Sequence, residues 1–140
     1  MLATEANAAS LVVESGTLKG ATGVDVDGTL YDLAFVEGTC AEVFDGCESA
    51  AEFAFQTGLA ALNAEAAIAN LLVSTIFDQQ PFLTFGCEGG TNACNILVPY
   101  ARRTGIVDIA IYSNTTGPGG VANVFPLEDD HDTAGAPEVW

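Results

Sequence analysis

The chain has 140 residues, a formal net charge of −16 and 49% hydrophobic residues, with 3 basic side chains against 19 acidic ones. This composition belongs to a folded chain rather than a disordered one, long enough for one domain with a sizeable core. It argues against nucleic acid and anionic membrane surfaces as partners, which need clustered Lys and Arg, and no apolar stretch reaches the roughly 18 residues that span a bilayer.

At the start of the chain, Ala6-Asn7-Ala8 has the A-x-A pattern of a signal-peptidase site. Residues 1–9 therefore read as a signal-peptide remnant or a disordered N-terminus, and residues 10–140 as a single disulfide-stapled domain. Leu11-Val12-Val13 predicts a short first strand, followed by punctuation at Gly16, Gly20 and Gly23. Two alternating runs within residues 24–36 flank Asp27-Gly28, a dipeptide favoured in type I′ turns, so this segment predicts a β-hairpin. Residues 37–49 form a loop closed by the first cysteine pair. Phe53-Ala54-Phe55 is a short strand or the start of a helix.

In residues 59–77, Leu59, Leu62, Ala66, Ala69, Val73 and Phe77 recur at steps of three and four residues. That spacing predicts a helix with one apolar stripe, stopped with the help of Pro81 and packed on a face of a sheet. Residues 78–95 are a loop holding the second cysteine pair. Ile96-Leu97-Val98 is a short strand that Pro99 ends or moves to a sheet edge. Residues 106–112 are rich in β-branched side chains and predict a strong strand; residues 114–120 form a turn and residues 121–125 a partner strand. Residues 128–135 are an acidic loop, and Glu138-Val139-Trp140 begins a further strand. The expected fold class is α+β, an antiparallel β-sheet or partial sandwich with one main helix packed on a face.

The four cysteines fall into the pairs Cys40/Cys47 and Cys87/Cys94. Turn formers lie between the members of each pair: Asp45-Gly46 in the first, Gly89-Gly90 and Asn92 in the second. Two local disulfides are the preferred connectivity, each worth about 2.5 kcal/mol by the chain-entropy model. A zinc site built from all four thiolates is a competing reading, although zinc sites usually space paired thiolates more closely. Unpaired buried thiols are a third. Disulfides imply an oxidising compartment, in agreement with a processed N-terminus.

Asp25-Val26-Asp27-Gly28-Thr29-Leu30 resembles the first motif of the haloacid-dehalogenase phosphatases. That resemblance implies Asp25 as nucleophile, Asp27 as acid/base and Mg²⁺ between carboxylates and phosphate. Phosphoryl chemistry also needs a cation, yet Lys19 precedes the motif and Arg102 and Arg103 are the only later ones. The residues before the motif are not a buried apolar strand, and the strand–helix alternation of an α/β fold is missing. A hairpin turn explains the Asp-Gly step more simply.

Glu128-Asp129-Asp130-His131-Asp132 gathers four carboxylates and the only histidine. Asp129, Asp130 and Asp132 are the candidate Ca²⁺ ligands, Ca²⁺ being the one cofactor the residues admit; the plainer reading is a solvated acidic loop. No nucleophile–base arrangement is visible, so no catalytic residue is assigned. Trp140, Tyr31, Tyr100 and Tyr112 supply either a sugar-stacking face or sheet packing.

Residues 27–40, then Phe44-Asp45-Gly46-Cys47, Phe53-Ala54-Phe55, Leu83-Thr84-Phe85-Gly86-Cys87 and Pro99-Tyr100, resemble the bodies of exported proteins of the PEP-CTERM sorting class of Gram-negative bacteria. The likeness covers roughly residues 10–112. The Pro-Glu-Pro signal, apolar helix and basic tail that define the class do not occur in the sequence, so the resemblance implies a chain cut after Trp140, just before that anchor. It further implies export, transient anchoring and release to the cell surface or an exopolysaccharide matrix, and it implies no catalytic residues.

The leading expectation is therefore an exported, non-enzymatic surface or extracellular-matrix-associated protein, with polysaccharide or self-association as its partners. A Ca²⁺- or carbohydrate-binding module is the second reading and a phosphatase the third.

Overall fold

A computed structural model of the chain describes residues 8–90, 92–116 and 120–140. The signal-remnant reading falls mostly on residues 1–7, outside the described residues, as do residues 117–119 of the expected 114–120 turn. Strands β1 (Ser10–Glu14), β2 (Thr17–Val26) and β3 (Thr29–Ala34) form one antiparallel sheet in the order β1-β2-β3. Strands β4 (Ala93–Arg103), β5 (Ile106–Thr115), β6 (Val121–Glu128) and β7 (Glu138–Val139) form a second, ordered β6-β5-β4-β7. This sheet is mixed, because β7 runs parallel to β4. Helix α2 (Gly58–Leu72) packs against β4, β5 and β6 and also touches β2, giving the α+β architecture expected from the sequence. Two single-turn helices complete the set, α1 (Cys40–Val43) and α3 (Ile76–Gln79).

The β2–β3 hairpin turns where the Asp-Gly step predicts. Asp27 (φ 52°) and Gly28 (φ 84°) both take the positive φ of a type I′ turn, and the Asp25 carboxylate accepts the Gly28 N–H at 2.8 Å. β2 begins much earlier than its glycines indicate. Gly20 lies inside the strand because β3 comes so close that an added Cβ would stand 2.0 Å from the Leu33 carbonyl oxygen. Gly23 (φ 65°) sits at a β-bulge, its N–H bonded to Asp32 Oδ1 at 3.0 Å.

The expected 59–77 helix is two helices. Thr57 caps α2, its side chain accepting the Ala60 N–H at 3.1 Å. After Leu72 the backbone turns through Ser74 (φ 64°) before re-entering helix at Ile76. The buried stripe also differs from the expected one: Leu59 and Val73 are exposed, and Ala61, Ala64, Glu65, Ile68 and Leu72 face the core. Small alanines let the helix lie close to the sheet at Ala110, and a stripe of larger residues gives way to it.

Pro99 does not end β4, but it lies where the strand is a sheet edge, the other expected outcome, because β7 pairs only with Asn95 and Ile96. The strand continues to Arg103, with an irregularity in its pairing to β5 just after Pro99. β4 and β5 are covered on both faces. On the inner face Cys94, Ile96 and Tyr112 meet Leu18, Ile68 and Leu72. On the outer face Leu97, Val107 and Ile109 meet the Cys40–Cys47 bend, Phe53 and Trp140.

Candidate functional site

The four cysteines are joined as Cys40–Cys47 and Cys87–Cys94, each with Cα atoms 5.5 Å apart, and no described cysteine is free. Covalent sulfur pairs exclude the four-thiolate zinc reading. The first bend is built locally: Thr39 accepts the Glu42 N–H at 3.3 Å while the Glu42 carboxylate accepts the Thr39 N–H at 3.0 Å, a capping box that starts α1. Arg102 Nε then donates to the Cys47 carbonyl at 2.8 Å, fastening the bend to β4.

The structure spreads the acidic 128–132 segment over separate partners. Asp129 pairs with Arg102, His131 meets Glu138 at 2.5 Å, and Asp132 Oδ1 accepts the Ala134 N–H at 2.9 Å. Among the described residues, no three His, Cys, Asp or Glu side chains gather as a metal-binding group.

Asp25 and Asp27 border an open groove of about 440 Å³ between β2 and α2. Val24 and Val26 continue one wall; Asn63, Ala66, Asn70 and Leu71 form the other. Asn63 Nδ2 donates to both Asp27 carboxylate oxygens at 3.1 Å. No Lys or Arg lines the groove, so no basic side chain stands beside the aspartates of the phosphatase-like motif to share a phosphoryl charge. Its carboxylates and amides suit hydrogen bonding to hydroxyl groups. Asn63 and Asn70 are seven residues apart and share this helix face; that i, i+7 spacing is the signal that marks them.

Trp140 and Tyr112 are buried, and Tyr31 packs on Phe55 with ring centroids 5.0 Å apart, so these aromatics build core rather than a shared exposed sugar platform. The sequence reading also missed a buried polar layer beneath α2. Glu65 is fully buried and neither carboxylate oxygen has a hydrogen-bond partner. Desolvation pushes its carboxyl well above the usual carboxylate range. Burial raises the Tyr112 hydroxyl as well, with smaller contributions from Asp78 and Glu65. Nearby on β5, buried Asn114 donates to the Phe77 carbonyl at 2.8 Å, which holds α3 against the sheet.

Comparison of the chain with family models, with curated proteins and with solved structures gives no match.

Proposed function

We propose that the chain is an exported, non-enzymatic surface or extracellular-matrix protein, of the kind its resemblance to PEP-CTERM bodies implies. The observation that carries this reading is the pair of disulfides closing short bends, all four cysteines being almost wholly buried. Such bonds persist in oxidising compartments. The nearest acid–base candidates support a structural role: Asp25 holds a turn, Asp27 holds Asn63, and His131 meets Glu138. The test is thiol titration of protein isolated natively and unfolded in denaturant, with and without reductant, alongside fractionation of the producing cells. Thiols that appear only after reduction, in protein recovered outside the cytoplasm, support the reading. Four free thiols in natively isolated protein overturn it.

The groove favours polysaccharide as the ligand, because it presents carboxylate and amide groups without a cation. Retention on an uncharged polysaccharide matrix, weakened by Asn63→Ala with melting unchanged, supports that assignment. Equal retention of both proteins removes the groove from it.

A further inference from the structure

β6 is the last strand of the four-stranded sheet, with β5 as its one strand neighbour among the described residues. The two pair from Val121 with Ser113 to Glu128 with Ile106, without a shift in register. Residues 122–126 are all exposed, Val124 at 40% and Phe125 at 54%. No charged side chain occurs between Asp108 and Glu128. A long, regular, apolar strand at a sheet edge is a template for pairing with another chain. Three common safeguards against such pairing are an edge lysine, a β-bulge and a very short strand, and β6 has none of them.

The direction of each main-chain group on β6 follows from one bond. The Asp129 N–H donates to the Gly105 carbonyl at 3.1 Å, one step beyond the Glu128–Ile106 pair. By the alternation of an antiparallel ladder, Leu127, Phe125, Asn123 and Val121 then bond to β5. Ala122, Val124, Pro126 and Glu128 turn their main-chain groups to the free side. Two of these positions offer no donor. Pro126 has no N–H. The Val124 N–H is already held by Asn123 Oδ1 at 2.9 Å. Between Ala122 and Glu128 the edge therefore presents carbonyls without free donors, over about 20 Å of strand.

From this donor pattern we infer that Asn123 and Pro126 guard the edge of β6 against strand addition by a second copy of the chain. An added strand would turn carbonyls toward both positions and find no N–H, and a carbonyl shut off from water without a partner is costly. Two copies pairing β6 with β6 about a twofold axis would carry that defect on both strands. The net charge of −16 also keeps copies apart, but salt screens it beyond about 8 Å at physiological ionic strength. At contact, on a strand with no charge between Val121 and Leu127, the block falls to these two residues. The inference rests on the second sheet and is independent of export.

The test compares the full chain with Asn123→Ala, Pro126→Val and the double variant, by analytical ultracentrifugation and amide hydrogen exchange at physiological salt. In the unaltered chain the Val124 amide is expected to be about tenfold more protected than that of Ala122, since Asn123 holds only the former. Each restored donor is expected to tighten association about tenfold, so the double variant associates most readily. Its assembled form is expected to protect the amides of Ala122 and Val124 together. Equal association of the unaltered chain and the double variant overturns the inference. So does association that leaves the Ala122 amide unprotected, because it then runs through another surface. A Val124 amide no better protected than Ala122 in the unaltered chain overturns it too, and that comparison decides even where a variant fails to fold.

Discussion

Trp140 donates its indole N–H to the carbonyl of Gly38 at 2.7 Å, tying the C-terminal strand to the entrance of the first disulfide bend. The ring also meets Phe44 edge-on at a centroid separation of 5.7 Å. Truncation to alanine removes a buried aromatic and a hydrogen bond. Trp140→Ala is expected to cost about 3–5 kcal/mol in urea unfolding. Trp140→Phe is expected to cost about 1–2 kcal/mol, because Thr133 Oγ1 still donates to Gly38 at 3.3 Å. Equal losses for the two variants would mean that the hydrogen bond, and not the packing, dominates.

Each disulfide closes a bend with a sequence separation of 7. Replacing Cys40 and Cys47 together by alanine is expected to lower stability by about 2–4 kcal/mol, and the same holds for Cys87 and Cys94. The pairs lie on opposite faces of the second sheet, so their effects are expected to add. All four cysteines are at most 2% exposed, so reductant is expected to act on the native protein only when denaturant opens it. Rapid reduction without denaturant, followed by mass spectrometry of alkylated protein, would contradict this.

Glu65 makes stability depend on pH in an uncommon direction. Its native carboxyl holds its proton to higher pH than the unfolded one, which titrates near about 4.3. Below that value both states are protonated and the residue's contribution does not change with pH. Above it the unfolded state loses the proton first, so this residue's contribution falls as pH rises, by up to about 1.4 kcal/mol per pH unit, until the native carboxyl also ionises. Glu65→Gln is expected to lose that slope. Chemical unfolding of both proteins at a series of pH values from about 4.5 upward checks it, and parallel curves would show that Glu65 ionises as freely in the native state as in the unfolded one.

The same residue shows why the helix face was hard to read. A charged side chain at position 65 looks like an outward residue, so the larger Leu59 and Val73 make the better sequence stripe. Tertiary packing selects the alanine stripe instead and takes Glu65 inside with it. The hairpin was legible because Asp27-Gly28 fixes local backbone geometry. The cysteine pairing was legible because short bends leave little choice of partner. β2 was obscured by Gly20 and Gly23, whose roles depend on how close β3 comes and on the Asp32 side chain. The groove at Asn63 was legible only in part: the seven-residue spacing of Asn63 and Asn70 puts both on one helix face, but its other wall comes from β2, distant in sequence.

Calcium provides the sharpest separation of the remaining readings. The Asp129 carboxylate is engaged by Arg102, whose guanidinium also reaches the carbonyls of Cys47 and Ile106. Asp132 is turned toward the Ala134 N–H. Recruiting both aspartates to a cation with Asp130 would break these bonds, and Ca²⁺ needs six or more oxygen ligands. Millimolar Ca²⁺ is therefore expected to move the melting temperature by no more than about 1 °C, whereas a ligand at a hundred times its Kd adds about 2.7 kcal/mol. A rise of several degrees that disappears in Asp130→Asn and Asp132→Asn would show that the segment rearranges into a calcium site, and would restore the binding-module reading over the structural one.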